Sequence, residues 1–463
     1  MRGRSDRVHL VGIGGSGMSG LATLLREGGA EVSGSDLTGG GSTERLQRLG
    51  ARIHIGHDAR HLSPGVERVI VSSAIPEDNP EVVAARARDL PVVPRMRALG
   101  EFVADRRGVG VVGTHGKTTT TAMIATILRF AGLSPGFLVG AFCPGLGGRA
   151  GVGAGPWFVT EVDESDGRLD AVCPDIAVLT SVGDDHLGTY GSEDSLREAF
   201  SRFIDRSEHV VVCIDDPRVK RLAERRGDVA TAGFDADASV HCLEVVQRGV
   251  ETRFLLEVGG ERVGWVHLPA PGRHNVQNAL CAIAAARIVG VPPAIAAWGL
   301  SRFRLPERRF EVLSDDGVTV IDDYAHLPEE IEATLRAARE GWQERRLICV
   351  FEPHRYSRTQ QLGDRFGAAF RAADVAVVTG VYAACEQAIP GVSSERIVRS
   401  IARDASPSEL HHVPDLTALP RRLREWVRSG DVLVGLGAGG LTSVVREVAA
   451  DLKRLSGDRR GGA

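Results

Sequence analysis

Lysine is nearly absent from this chain: of 56 basic residues only Lys117, Lys220 and Lys453 are not arginine. Arginine's planar fork does not replace a compact ammonium everywhere, so a lysine kept at a demanding position is informative. Cysteine is sparse as well, with seven residues at 143, 173, 213, 242, 281, 349 and 385 and no CxxC pair. That spacing argues against a disulfide framework or a zinc module and favours a reducing compartment. No apolar run approaches the roughly 20 residues that a membrane helix needs. The opening segment 1–7 alternates basic and small residues and does not read as a signal peptide. Neither charge is in large excess: 56 basic against 60 acidic residues leave −4, too little basic charge for a global field that attracts nucleic acid or anionic lipid. What is present is ordinary globular composition, 43% hydrophobic and 25% charged. At roughly 150 residues per domain, 463 residues predict about three domains with cores that need no staples. A cytoplasmic protein is expected.

Short β-branched runs alternate with helical patterns along the whole chain, which predicts an α/β protein with largely parallel sheets. The first section reads as a strand at 8–11, a glycine turn, a helix to 25, and strands at 30–33, 51–55, 68–72 and 91–93. The second opens with a strand at 108–112 and a helix over 118–130, then strands at 157–161, 176–180 and 210–214. Residues 238–268 alternate and are turn-rich, with Gly259-Gly260 as a hairpin turn. An Ala-rich helix over 272–290 follows. The third section has strands at 319–322, 347–351, 375–379 and 432–435 and a helix over 328–339. Boundaries fall near 105 and 308, giving domains 1–105, 106–308 and 309–463. The Gly- and Arg-rich tail 456–463 is expected to be irregular.

Gly12-Ile13-Gly14-Gly15-Ser16-Gly17 satisfies G-x-G-x-x-G between a strand and a helix, with Asp36 24 residues after Gly12. Glycines there allow a tight turn and let a diphosphate approach helix-end amides. NAD and a UDP-sugar both fit that physics. Gly113-Thr114-His115-Gly116-Lys117-Thr118-Thr119 ends like a P-loop, in which amides cradle phosphates, Lys117 reaches the β/γ oxygens and the Thr118 hydroxyl ligates Mg²⁺. It departs from the common spacing because position 111 is Val. Two phosphate loops make a plain dehydrogenase a poor reading. Glu161-Val162-Asp163-Glu164-Ser165-Asp166 and Thr180-Ser181-Val182-Gly183-Asp184-Asp185-His186 each follow a strand. Carboxyl ends of neighbouring strands share one edge, so Glu161 and His186 could converge on a metal near ATP phosphates. A solvated acidic loop accounts for the acids but not for three coinciding strand ends.

Together these segments resemble the Mur ligases. The resemblance also takes in Ser72-Ser73-Ala74-Ile75 with Asn79-Pro80-Glu81, Gly272-Arg273-His274-Asn275 with Asn278, and Arg308-Arg309-Phe310. It continues through Asp322-Asp323-Tyr324-Ala325-His326 and Glu352-Pro353-His354-Arg355-Tyr356-Ser357-Arg358. It implies a three-domain α/β fold: a Rossmann-like UDP-sugar domain, a P-loop ATPase-type central domain with a small β subregion, and a Rossmann-like amino-acid domain that closes over both. It further implies ATP and Mg²⁺ as cofactors, small-molecule partners only, and an amide ligase of peptidoglycan precursor synthesis that joins L-alanine to the carboxylate of UDP-N-acetylmuramate through an acyl phosphate. Lys117, Glu161, His186, Arg309, His326 and Arg355 are the implied catalytic residues, with Thr118, Glu161 and His186 at the metal. Gly113 to Thr119, His274, Asn275, Asn278, Arg309 and Asp322 would hold ATP. Gly12, Gly14, Gly15, Ser16, Gly17, Asp36 and Ser73 would hold the UDP-sugar, and Tyr324, His326, Arg355 and Arg358 the amino acid and acyl phosphate.

Acceptor-side positions depart from the family pattern while ATP-side positions are nearly intact. His-His-Pro reads His326-Leu327-Pro328, Arg149 stands where Asn is usual, and Arg97, Arg168, Ser181, Gly188, Cys385 and Gly440 also differ. The asymmetry admits a related ligase with another amino acid or acceptor. A nucleotide-binding regulator without turnover is the alternative from another class.

Overall fold

The computed structural model describes residues 6–183, 187–384 and 386–460. Five parallel strands form the first sheet, in the order Arg52–Ile55, Glu31–Asp36, Arg7–Val11, Arg68–Val71 and Val92–Pro94. The chain winds outward from Arg7–Val11 on one side and crosses to Arg68–Val71 on the other. Such a reversal opens a crevice at the carboxyl ends of the two strands, where ligands of open α/β sheets bind. Glu81 ties this edge together from the first turn of the helix Pro80–Ala87, which Asn79 caps. It accepts from Ser35 Oγ at 2.5 Å, and its oxygens lie 2.7 Å from His61 Nδ1, 3.2 Å from His57 Nδ1 and 3.8 Å from His9 Nε2. Burial alone would raise this carboxyl; His9, Ser35 and His61 outweigh it and hold it at about 2.

The second sheet has ten strands, with Arg107–Val112 between Ile176–Leu179 and Trp157–Glu161 and all three parallel. These central strands are buried throughout most of their length, as their predominantly apolar, non-alternating sequences require of a parallel sheet covered on both faces. The region 238–268 is a meander of Val240–Arg248, Glu251–Val258 and Glu261–Leu268. Gly259 and Gly260 turn it with φ of +60° and +82°, the left-handed pair that a two-residue hairpin of type I′ demands. The third sheet runs Glu311–Asp316, Val318–Asp323, Val432–Gly437, Leu347–Glu352, Val375–Thr379 and Glu409–Val413, antiparallel only in its first pair.

The chain divides into two compact units, one of Met1–Glu244, Leu255–Val266 and Gln277–Arg304, the other of Val245–Phe254, His267–Val276 and Leu305–Ala463. The connection near residue 105 lies inside the first. The final helix, Leu441–Arg460, extends into the tail expected to be irregular. Its buried Leu441, Val445, Val448 and Ala449 recur at helical spacing, and nothing in 456–460 is a proline to stop it. No helix among the described residues is long and apolar enough to cross a membrane.

Candidate active site

The glycine loop follows Arg7–Val11 directly. Gly12 adopts φ +80°, and the amides of Gly12 and Ile13 donate to Ser35 O at 2.8 and 3.0 Å. The Gly14 amide donates to Asp36 Oδ2 at 2.8 Å, so Asp36 stands at the loop as its spacing predicts. Gly15 leads into the helix Ser16–Glu27 without a side-chain cap. Ser73, beyond Arg68–Val71, donates to Asp166 Oδ1 at 2.6 Å. Arg149 reaches the same helix, its Nη1 3.3 Å from Ser16 O and 3.2 Å from Ser19 Oγ.

Between Arg107–Val112 and the helix Lys117–Phe130, the second loop turns on Gly113 (φ +131°) and Gly116 (φ +81°). A Cβ on Gly113 would stand 2.3 Å from Thr180 Oγ1, and one on Gly116 2.4 Å from Asn278 Oδ1. Only glycine fits this close approach. Lys117 folds back over the loop, donating to Gly113 O at 2.6 Å and lying 2.8 and 2.9 Å from the two oxygens of Glu164. Burial would lower the ammonium's pKa, but Glu164 and Asp163 hold it above its ordinary value. Asp163 is shifted the other way: burial would raise it, and Lys117 and Arg95 hold it below. Thr118 Oγ1 donates to Glu161 Oε2 at 2.7 Å, which brings two of the predicted metal-side oxygens together. His186 lies outside the described residues.

Neighbouring strand ends brace the loop. Gly183 N–H donates to Thr114 Oγ1 at 2.7 Å, His115 N–H to Ser181 Oγ at 2.9 Å, and Thr180 Oγ1 to His115 O at 2.5 Å. Thr119 is buried in the first helical turn. The helix Arg273–Val289 carries His274, Asn275 and Asn278; Asn275 is buried and donates to Pro271 O at 2.7 Å.

In the second unit, Arg308 and Phe310 adopt φ of +59° and +48°, a strained segment that places both arginines over Tyr324. Their guanidinium carbons lie 5.0 Å (Arg308) and 5.1 Å (Arg309) from the ring centroid. Asp323 secures the segment by accepting from Phe310 N and Ala325 N, both at 2.7 Å. Burial pushes its carboxyl up to about 6, against the pull of Arg309. Asp322 is buried too and faces Arg308 Nε at 3.8 Å and the Thr442 hydroxyl at 3.3 Å. Both carboxylates thus act on the protein's own arginine segment and its neighbours. His326 Nδ1 sits 2.9 Å from Tyr324 O and 3.4 Å from Glu330 Oε2, which places its proton on Nδ1 and makes Nε2 the acceptor. Its ring meets His354 edge-on at 5.4 Å, and His354 stacks on Tyr382 at 5.8 Å. Arg358 is buried and bonds His354 Nδ1 at 2.7 Å, whereas Arg355 is exposed at the helix start with φ +71°. The expected arginine pair therefore divides between two environments.

Glu164, Arg95, His354 and Tyr382 were not among the predicted site residues. Glu164 had a local signal, as a third carboxylate after a strand in a chain with one lysine near a glycine loop, and His354 lies within the motif at 352–358.

Three stretches match known domains: the Mur ligase family, catalytic domain over 7–107, the Mur ligase middle domain over 111–286, and the Mur ligase, glutamate ligase domain over 308–439. The chain belongs to the Mur ligase family. Among Mur ligases it is 44% identical to a UDP-N-acetylmuramate--L-alanine ligase of Acidithiobacillus ferrooxidans, over 96% of this chain and 98% of that one. It is likewise 44% identical to the ligase of the same name from Halorhodospira halophila, over 97% and 94%. The crystal structure of UDP-N-acetylmuramate-alanine ligase from Thermotoga maritima superposes with a TM-score of 0.84 at 30% identity, covering 97% of this chain and 99% of that one. A murein peptide ligase from Psychrobacter arcticus follows at 0.70 and 25%, covering 96% and 98%. The three-domain Mur ligase fold, with its mixed α/β sheets, is that of this chain.

Proposed function

We propose that this chain is an ATP-dependent ligase joining L-alanine to the carboxylate of UDP-N-acetylmuramate, with domains 1–105, 106–308 and 309–463. The observation that carries the reading is the P-loop constellation: an ammonium folded over a glycine loop, beside a threonine hydroxyl and a glutamate 2.7 Å apart. Phosphoryl transfer needs alignment and charge neutralisation more than covalent chemistry from the protein. Lys117 meets the terminal phosphates of ATP, and loop amides orient them. Thr118 and Glu161 are oxygen donors of the hard type that Mg²⁺ takes, with His186 the third ligand from the sequence. When bound, the ion neutralises charge on the phosphate oxygens.

A carboxylate oxygen of the sugar attacks the γ-phosphorus, ADP leaves, and an acyl phosphate forms. The amine of alanine then attacks the acyl carbon, and inorganic phosphate departs from the tetrahedral intermediate. His326, its proton fixed on Nδ1, takes the amine's proton at Nε2. Arg309 neutralises the γ-phosphate, and Tyr324, His326, Arg355 and Arg358 serve the amino-acid carboxylate and the acyl phosphate; Asp323 acts by holding Arg309's segment. His274, Asn275 and Asn278 serve the nucleotide, and Asp322 acts on it through Arg308.

Thermal protection tests the reading. ATP·Mg²⁺ and UDP-N-acetylmuramate each raise the unfolding temperature, and NAD does not. Protection by NAD with none by the UDP-sugar would return the first loop to a dinucleotide.

A further inference from the structure

Arg95 touches both the turn Glu164–Asp166 and the glycine loop at Gly17. It opens the helix Arg95–Ala104 after the last strand of the first sheet. Its Nε and Nη2 donate to Asp166 Oδ2 at 3.0 and 2.5 Å, and Nη2 lies 3.5 Å from Asp163 Oδ2. The side chain is only 16% exposed. The third nitrogen, Nη1, has no acceptor among the described residues and lies against Gly17, where a Cβ would come within 1.7 Å of it. The glycine loop and the start of its helix, Gly12 to Gly20, contain no lysine or arginine of their own. The turn that binds Arg95 is also the turn whose Glu164 binds Lys117.

We propose that Arg95 is the cation of the nucleotide-sugar site: its guanidinium binds the diphosphate at Gly12–Gly17, and Asp166 and Asp163 hold it in place while the site is empty. The inference rests on the ligase reading and adds a residue to its first substrate site. Several features support it. A largely buried guanidinium whose Nε and Nη2 are held by Asp166, with Nη1 turned to Gly17, is oriented to give a charge-assisted bond from Nη1 to a second anion. Helix-end amides alone supply partial charges; a full cation beside them completes an anion site. The contact also explains why position 17 is glycine, since any side chain there would displace the guanidinium. Asp166 stays fixed by Ser73 as Arg95 shares its charge with the incoming phosphate.

The test is UDP binding by calorimetry, with ADP·Mg²⁺ binding measured on the same samples. Wild type binds both. Arg95→Ala weakens UDP at least about tenfold, as loss of a charge-assisted phosphate contact does. Its ADP·Mg²⁺ affinity stays within about twofold of wild type, because the P-loop cation is Lys117. Arg95→Lys, which keeps the charge without the fork, falls between the two. Asp166→Asn still accepts from Ser73 but no longer competes for the guanidinium, so it binds UDP more tightly than wild type. A purely structural ion pair predicts the opposite sign for Asp166→Asn. Unchanged UDP affinity in Arg95→Ala, or weakened UDP affinity in Asp166→Asn, overturns the proposal. Should Arg95→Ala fail to fold, Arg95→Lys and Asp166→Asn decide it. A wild type that binds ADP·Mg²⁺ but no UDP instead removes the ligase reading itself.

Discussion

Lys117 shows how a side chain serves stability and chemistry at once. Its ammonium is paired with Glu164, whose side chain is 1% exposed, so removing it strands a buried carboxylate. Lys117→Ala is therefore expected to abolish turnover and also to cost about 3–5 kcal/mol of stability. In Lys117→Ala/Glu164→Gln much of that stability returns while turnover does not; parallel denaturant melts and phosphate-release assays check both halves. Asp323 gives a second prediction. Its carboxyl titrates at about 6 in the folded chain against an ordinary 3.8, so folding favours the protonated form. Its contribution is fully present below pH 3.8 and is lost as pH rises through about 6. Asp323→Asn, measured against wild type in thermal melts, should gain relative stability as pH rises through that window. A difference independent of pH would contradict the assignment. Residue identities at the P-loop were legible because glycine, lysine and threonine are each required there for a separate physical reason. The inward roles of Asp322 and Asp323 were not. A carboxylate at a strand end reads the same whether it faces a ligand or a neighbouring arginine.

Elements were legible where one period dominates. Strands such as Trp157–Glu161 and Val375–Thr379 fall where the β-branched runs predict them, and the Gly259-Gly260 hairpin follows from turn chemistry. The strands Gly136–Cys143, Gly148–Gly151, Ala230–Gly233, Glu311–Asp316 and Glu409–Val413 are absent from the sequence reading. Apart from Gly136–Cys143, whose apolar run is broken by glycines, they are short, glycine-rich or polar, and most lie toward sheet edges, where pairing comes from the neighbouring strand and not from a strong local pattern. The buried hub at Glu81 is likewise tertiary, since His9, Ser35, His57 and His61 come from separate elements and connections. Because Glu81 titrates at about 2 against an ordinary 4.5, its stabilisation is present above pH 4.5 and is lost as pH falls toward 2. Glu81→Gln should cost about 1–3 kcal/mol near neutrality and flatten the acid limb of stability. Urea unfolding from pH 3 to 7, on wild type and variant, measures it; an unchanged acid limb would remove Glu81 as its source.

At the scale of the whole molecule, the alternation of strand and helix pointed to the α/β class, and two glycine loops of the phosphate-cradling type on separate sheets made a simple dehydrogenase a poor reading. The three domain matches and the full-length likeness to the Thermotoga maritima ligase agree with that architecture. Contact within the chain joins the first sheet and most of the second into one unit, which composition shifts near residue 105 do not reveal. Acceptor-side departures now have a partial physical setting: Arg149 contacts the helix behind the glycine loop, and Ser181 supports the P-loop through His115. Neither contact requires a new substrate. Arg149→Asn, restoring the usual family residue, is accordingly expected to change the KM for the UDP-sugar while leaving amino-acid choice unaltered, as steady-state kinetics across single amino acids would show. The measurement that tests the central claim most directly is phosphate release from ATP·Mg²⁺ with UDP-N-acetylmuramate and each amino acid in turn, with the product weighed by mass spectrometry. The account predicts turnover with L-alanine, a product heavier by one alanyl residue, and no turnover in Lys117→Ala. ATP-dependent turnover with a different amino acid only, or none with any, would contradict it.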